Sequence, residues 1–140
     1  MPAFCITRRV EFGDTDMAGI MHYSNFFRFM EVAETSFLQS LGASVHWRSD
    51  DGTHYGFPRV KVGCEFVKPV RFEDILTIRV AVERLGTKSI SYRFEFANKD
   101  EVIAIAAMTS VYCRNGALGT MESVAIPEAL RAKLQEHLIV

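Results

Sequence analysis

The chain has 140 residues, which suits one domain with one sizeable core and leaves little room for a second. Hydrophobic residues are 49% and charged residues 24%, the balance of a folded globule and not of a disordered tail. The formal net charge is −1 and no segment concentrates Lys and Arg, so the composition offers no footprint for nucleic acid or a membrane surface.

Phe4, Ile6, Val10 and Phe12 alternate with Cys5, Thr7, Arg9 and Glu11, a period of two that predicts a first strand. Residues 24–41 change the period. Phe26, Met30, Ala33, Phe37 and Leu41 follow helical spacing, with Ser24 as the expected N-cap and Gly42 as the stop. So apolar a helix is expected to be mostly buried. Residues 43–56 read as a short helix and a loop. Alternation then returns around Val60–Phe66, Leu76–Val82 and Ile90–Phe96, each a half-buried antiparallel strand. VIAIAAMTSVYC, residues 102–113, reads as a central strand covered on both faces. The short polar turns Leu85-Gly86-Thr87-Lys88 and Asn98-Lys99-Asp100-Glu101 make these strands hairpin neighbours. A last helix is expected over 127–138, with Pro127 in its first turn.

One strand, one long helix, four strands and a terminal helix define an α+β chain with a single domain over residues 1–140. The expected sheet is a single antiparallel one of about five strands, with one apolar face that the long helix covers. This is the element order of a hotdog fold, and a cystatin-like cone shares it.

The connection between the first strand and the helix carries the chemistry. In F-G-D-T-D-x-A-G, Asp14 and Asp16 precede Gly19, which permits a tight turn. The helix start beyond has backbone N–H groups without intrahelical partners, and its dipole favours negative charge. A carboxylate beside such donors suits hydrolysis of an ester or thioester, the carboxylate attacking or activating water and the helix start polarising the carbonyl. The plainer alternative makes both aspartates turn and capping residues.

FGDTDMAGIMHYSNFFRFMEVAETSFLQSLG resembles the signature of the 4-hydroxybenzoyl-CoA thioesterase family, including the acyl-CoA thioesterases associated with the Tol-Pal system. The match is specific from Val10 to Gly42. It continues more weakly through FVKPVRFEDILTI, the turn to TKS and the helix start after Ile126. The resemblance implies hydrolysis of a small aromatic or short-to-medium-chain acyl-CoA. Asp16 takes the position of the catalytic carboxylate, nucleophile or general base. Tyr23 takes the position whose backbone N–H polarises the carbonyl, and Gly19 that of the turn glycine. His22, Asn25 and Glu31 are supporting candidates, and Lys88 with Ser89 falls where the family contacts the CoA phosphates. It further implies a homodimer or tetramer with the active site between subunits, no metal, and no cofactor beyond the coenzyme A of the substrate. His22-Tyr23 reverses the Tyr-His of many Tol-Pal-type members. Ala33-Glu34 stands where many relatives carry Ala-Arg, so no ion-pair role is assigned at that position.

Other features carry less. His46, Trp47, His54 and Tyr55 cluster in the 43–56 segment, as surface packing or as an aromatic loop over the acyl pocket, and two His eight apart make no metal site by spacing. Cys5, Cys64 and Cys113 match no zinc or redox pattern and read as small strand or core residues in a reducing compartment. With no secretory signal in MPAFCITRRVEF and no apolar run long enough for a bilayer, a cytoplasmic enzyme without membrane insertion is expected. Two other classes remain open: a non-catalytic acyl-CoA-binding module, and a dehydratase, which would need a His placed with an acid.

Overall fold

The computed structural model describes residues 3–115 and 119–139. Strand β1 (Phe4–Arg9) leads through a short 3-10 turn (Phe12–Asp14) and a loop into helix α1 (Tyr23–Ser40). Then come β2 (His46–Arg48), β3 (His54–Gly56), β4 (Arg59–Phe66), β5 (Ile75–Leu85), β6 (Ser89–Asn98), β7 (Glu101–Val111), β8 (Cys113–Asn115), β9 (Met121–Ser123) and helix α2 (Glu128–Gln135). The main sheet has five antiparallel strands in the order β1-β5-β6-β7-β4.

Burial on β5 and β6 alternates along each strand and turns Leu76, Ile78, Val80, Val82, Tyr92, Phe94 and Phe96 toward α1. The helix answers with Phe26, Phe29, Met30, Ala33 and Phe37, a stripe at the spacing of one helical face. Phe37 sits at the centre, with ring centroids 5.4 Å from Phe4, 6.0 Å from Tyr92 and 4.9 Å from His137. It is fully buried, so truncation to Ala costs about 3–5 kcal/mol. The helix stops in a Schellman motif. Gly42 takes φ 77°, its N–H donates to Gln39 O (3.0 Å), and Ala43 N–H donates to Leu38 O (2.9 Å). Lys133 Nζ from α2 donates to Leu41 O at the same end (2.9 Å).

The structure departs from the sequence reading in six places. The sheet is not single: β2, β3, β8 and β9 form a second, four-stranded antiparallel sheet. Residues 43–56 contribute the β2–β3 hairpin to it instead of a helix, because Trp47 stacks on Tyr55 (4.5 Å) across the strands. The α1 N-cap is His22, whose ring nitrogen accepts the Ser24 N–H. Phe12 leaves the strand for the 3-10 turn and is 76% exposed. β7 lies between β6 and β4 but is covered by the helix only on one face, with Ala107 exposed on the other. Finally, α2 is shorter than expected and Pro127 is its N-cap. Cys5, Cys64 and Cys113 are free and lie on strands, and burial pushes the Cys64 thiol up to about 11. Among the described residues, no helix is long and apolar enough to cross a membrane.

Candidate active site

The loop between the 3-10 turn and α1 gives its two aspartates different tasks. Asp14 is tied down: its Oδ2 accepts the Glu11 N–H (2.8 Å), and its carbonyl accepts both the His22 N–H and the Asn25 Nδ2–H (2.9 Å each). Asn25 therefore straps the first turn of the helix to the loop. Asp16 heads the next turn. Its N–H donates to Ile20 O, its carbonyl accepts the Gly19 N–H, and its Oδ1 accepts the Ala18 N–H, each at 2.9 Å. Gly19 sits at φ 81°, where a side chain is strained. Asp16 Oδ2 has no partner among the described residues.

The helix start can be counted donor by donor. The His22 N–H is taken by Asp14 O, the Ser24 N–H by His22 Nδ1 (3.2 Å) and the Asn25 N–H by His22 O (3.0 Å). The Tyr23 N–H is the one donor of the four left without a partner among the described residues. Its side chain is 62% exposed and its ring lies 4.5 Å from that of His22.

Asp16 and Tyr23 border one cavity of about 390 Å³. Phe26 of α1 forms its inner wall, and Phe66, Lys68 and Pro69 from the end of β4 and the following connector form the outer one. Phe66 meets Phe26 edge to face at 5.1 Å. The connector is held by the Met21 N–H, which donates to Val70 O (2.8 Å). The sequence reading gave Phe66, Lys68 and Pro69 no role in the site. FVKPV stood in the weaker part of the resemblance, but its proximity to Asp16 is created by chain reversal, and no local pattern encodes that.

The remaining candidates lie apart. Glu31 is exposed on the helix's outer side. His22 serves as the cap, bonded to Ser24 Oγ (2.8 Å). Lys88 is exposed in the β5–β6 turn, and Ser89 opens β6 beside a different cavity with Lys61 and Arg84. Within one chain neither reaches the Asp16 cavity. Among the described residues, no group of three or more His, Cys, Asp or Glu is placed to hold a metal ion.

Glu34 is the correction with the largest energetic weight. It lies fully buried on α1, and its Oε1 accepts both Nε (2.9 Å) and Nη2 of Arg59, the first residue of β4. The cation expected in the helix is supplied by the sheet instead. Desolvation raises the Glu34 carboxyl above its ordinary range, and the Arg59 guanidinium pulls the other way. Nearby, Tyr92 Oη is buried without a hydrogen-bond partner, as is Glu34 Oε2. Burial, with the Glu34 charge beside it, drives the Tyr92 phenol far up.

Comparison with known proteins agrees with this fold. The description "Thioesterase-like superfamily" matches residues 10–134. A 1,4-dihydroxy-2-naphthoyl-CoA hydrolase of Prochlorococcus marinus is 28% identical over 89% of this chain and 85% of its own. A 4-hydroxybenzoyl-CoA thioesterase of Pseudomonas sp. is 31% identical over 61% of this chain and 62% of its own. The solved gentisyl-coenzyme A thioesterase superposes with a TM-score of 0.79 at 29% identity, covering 94% of this chain and 99% of its own. With the match spanning the carboxylate loop, the long helix and the β4–β7 strands of the main sheet, the chain belongs to the thioesterase-like superfamily of hotdog-fold thioester hydrolases.

Proposed function

We propose that this protein hydrolyses the thioester of an aromatic acyl-CoA, with Asp16 as its catalytic carboxylate and the Tyr23 N–H as its oxyanion donor. One observation carries the reading: Tyr23, which holds the unpartnered donor of the helix start, and Asp16, which keeps one oxygen unpartnered, border the same cavity. The volume falls within the roughly 300–1,000 Å³ of small-ligand sites. Phe26 and Phe66 offer ring faces and edges to a flat acyl group, and the relatives named above act on hydroxylated aromatic acyl-CoAs.

In the general-base route, Asp16 takes a proton from water and the resulting hydroxide attacks the carbonyl carbon. The charge that develops on the carbonyl oxygen is met by the Tyr23 N–H and the helix dipole. Collapse breaks the C–S bond and the CoA sulfur receives the proton, leaving the free acid. In the nucleophilic route Asp16 attacks the carbonyl itself, the C–S bond breaks and CoA leaves as the thiolate. Water then cleaves the resulting anhydride to the free acid and Asp16, its released proton going to the CoA sulfur. A single turnover in ¹⁸O-water separates them, since only anhydride hydrolysis can place label in Asp16. Coenzyme A enters as part of the substrate, and neither route calls for a metal or another cofactor.

The working unit in this reading is a homodimer at least. β4 is an edge strand paired only with β7, and it exposes Val60, Val62 and Phe66 with Val67 just beyond. β1, the other edge, exposes no large apolar side chain among the described residues. An open apolar edge pairs readily with a second copy. Asp16→Asn keeps the loop's hydrogen-bonding shape and removes the base or nucleophile. It should lower kcat by about 10²–10⁴ with the circular dichroism spectrum unchanged. Wild-type kcat in this variant would refute the assignment.

A further inference from the structure

A second cavity, of about 280 Å³, lies at the opposite end of β4 and is bordered by Arg59, His46 and His54. Along the strand the two cavities are about 23 Å apart at ~3.3 Å per residue, too far for one small acyl group to touch both within a chain. The second cavity is well equipped for hydrogen bonding. His46 and His54 lie diagonally across the β2–β3 hairpin with Nε2 and Nδ1 3.1 Å apart. One ring donates to the other, so the neutral pair presents one free N–H and one free acceptor nitrogen whichever tautomer it adopts. Arg59 spends Nε and Nη2 on Glu34, and its Nη1 has no partner among the described residues. The hairpin is held in place by the Trp47 Nε1–H donated to Tyr112 Oη (3.1 Å) and by the Trp47–Tyr55 stack.

β4 itself relates the two cavities. At one end the Arg59 side chain reaches Glu34 of α1, and at the other the Phe66 ring packs on Phe26 of α1, so both point to the helix side of the sheet. A bulge between Arg59 and Lys61 reconciles this with their odd spacing. Antiparallel pairing of β4 with its own copy places a twofold axis perpendicular to the sheet and keeps both helices on one face. Full overlap about the strand's centre sets Phe66 opposite the partner's Arg59, with neighbouring strands ~4.8 Å apart. The two cavities, remote in one chain, become adjacent across the interface.

We infer that the partner's Arg59, together with the partner's His46 and the partner's His54, completes the Asp16 cavity and binds a hydroxyl on the acyl ring. A hydroxyl both donates and accepts, matching the free N–H and free nitrogen of a neutral imidazole pair, whereas a carboxylate only accepts. This rests on the thioesterase and dimer readings above and names what the second subunit contributes to them.

The test compares 4-hydroxybenzoyl-CoA with benzoyl-CoA, using kcat/KM for each. His46→Ala/His54→Ala alters the surface hairpin and leaves the Glu34–Arg59 pair intact. It should reduce the preference for the hydroxylated substrate about tenfold, the worth of a lost hydrogen bond or two. Co-expression with an Asp16→Asn chain under a second tag then yields purified heterodimers with one working Asp16, carried by the His-variant chain. Wild-type preference in the heterodimer supports the inference, because the intact His pair comes from the other subunit. Preference lost as in the His-variant homodimer would overturn it, as would an unaltered preference in that homodimer. Should the Asp16→Asn homodimer turn over normally, the catalytic reading fails instead. The homodimer comparison, made with Asp16 intact, still decides the hydroxyl contact.

Discussion

Arg59→Met isolates the one charge that is completely buried among the described residues. Glu34 is 0% exposed, while the Arg59 side chain is 28% exposed, so the two halves of the pair are not equivalent. Without Arg59, Glu34 must stay charged and unpaired, at about 3–5 kcal/mol, or take up a proton. Protonation sets the ceiling. From the ordinary carboxyl value of 4.5 up to pH 7 is 2.5 units, or about 3.4 kcal/mol at 1.36 kcal/mol per unit. Wild type already bears part of this, because its Glu34 value is itself raised, so Arg59→Met should cost less than about 3.4 kcal/mol at pH 7 and lose most of that penalty near pH 4.5, apart from the lost packing of the arginine stem. The sign follows from linkage. The folded-state value of Glu34 lies above the unfolded one, so the folded protein holds the proton longer and stability falls as pH rises above 4.5. Removing Arg59 raises the folded value further and widens that window. Glu34→Gln, by contrast, removes the buried charge and leaves a guanidinium that water can reach, with an expected change within about 1 kcal/mol. Urea unfolding of both variants and wild type at pH 5 and pH 7.5, at one fixed protein concentration, reads the difference. Equal stability of the two variants at pH 7.5, or a penalty in Arg59→Met that does not shrink at pH 5, would refute the reasoning.

Two more outcomes can be measured with the same material. Tyr92→Phe removes a buried hydroxyl that has no hydrogen-bond partner, so stability should be unchanged or raised by up to about 1 kcal/mol, and a loss above that would show a bond the geometry does not contain. Val62→Glu places a charge on the exposed β4 edge, which should shift sedimentation toward a monomer and lower thioesterase activity in parallel, and a fully active monomer would count against a shared site.

Much of the main architecture was legible because burial imposes a period. Leu76, Ile78, Val80 and Val82 face one side of β5, as their alternation required, and Phe26, Met30, Ala33 and Phe37 line one face of α1, as helical spacing required. Gly42 stopped the helix at the expected place. The cap was misplaced by two residues because His22 accepts through a ring nitrogen, and His is a poor N-cap signal beside a serine. The second sheet escaped notice because its strands are three residues long, too short for alternation to register. His46 and His54 looked unrelated at eight residues apart until the β2–β3 register brought their rings together.

By itself, the sequence determined the α+β class, the helix that fills the sheet, and the loop holding Asp14, Asp16 and Gly19 ahead of the helix start. These are local matters of period and turn chemistry, carried by residues close together in the chain. The resemblance already set Asp16 apart from Asp14; the contacts that tie Asp14 into the loop, leave one Asp16 oxygen without a partner among the described residues and put Asp16 at the cavity's border come from the tertiary structure. Only it brought Phe66 and Lys68 to that cavity and Arg59 to Glu34, 25 residues away in sequence. A buried carboxylate and an acyl pocket are both satisfied by groups that meet only when the sheet closes on the helix, and no spacing along the chain records that meeting.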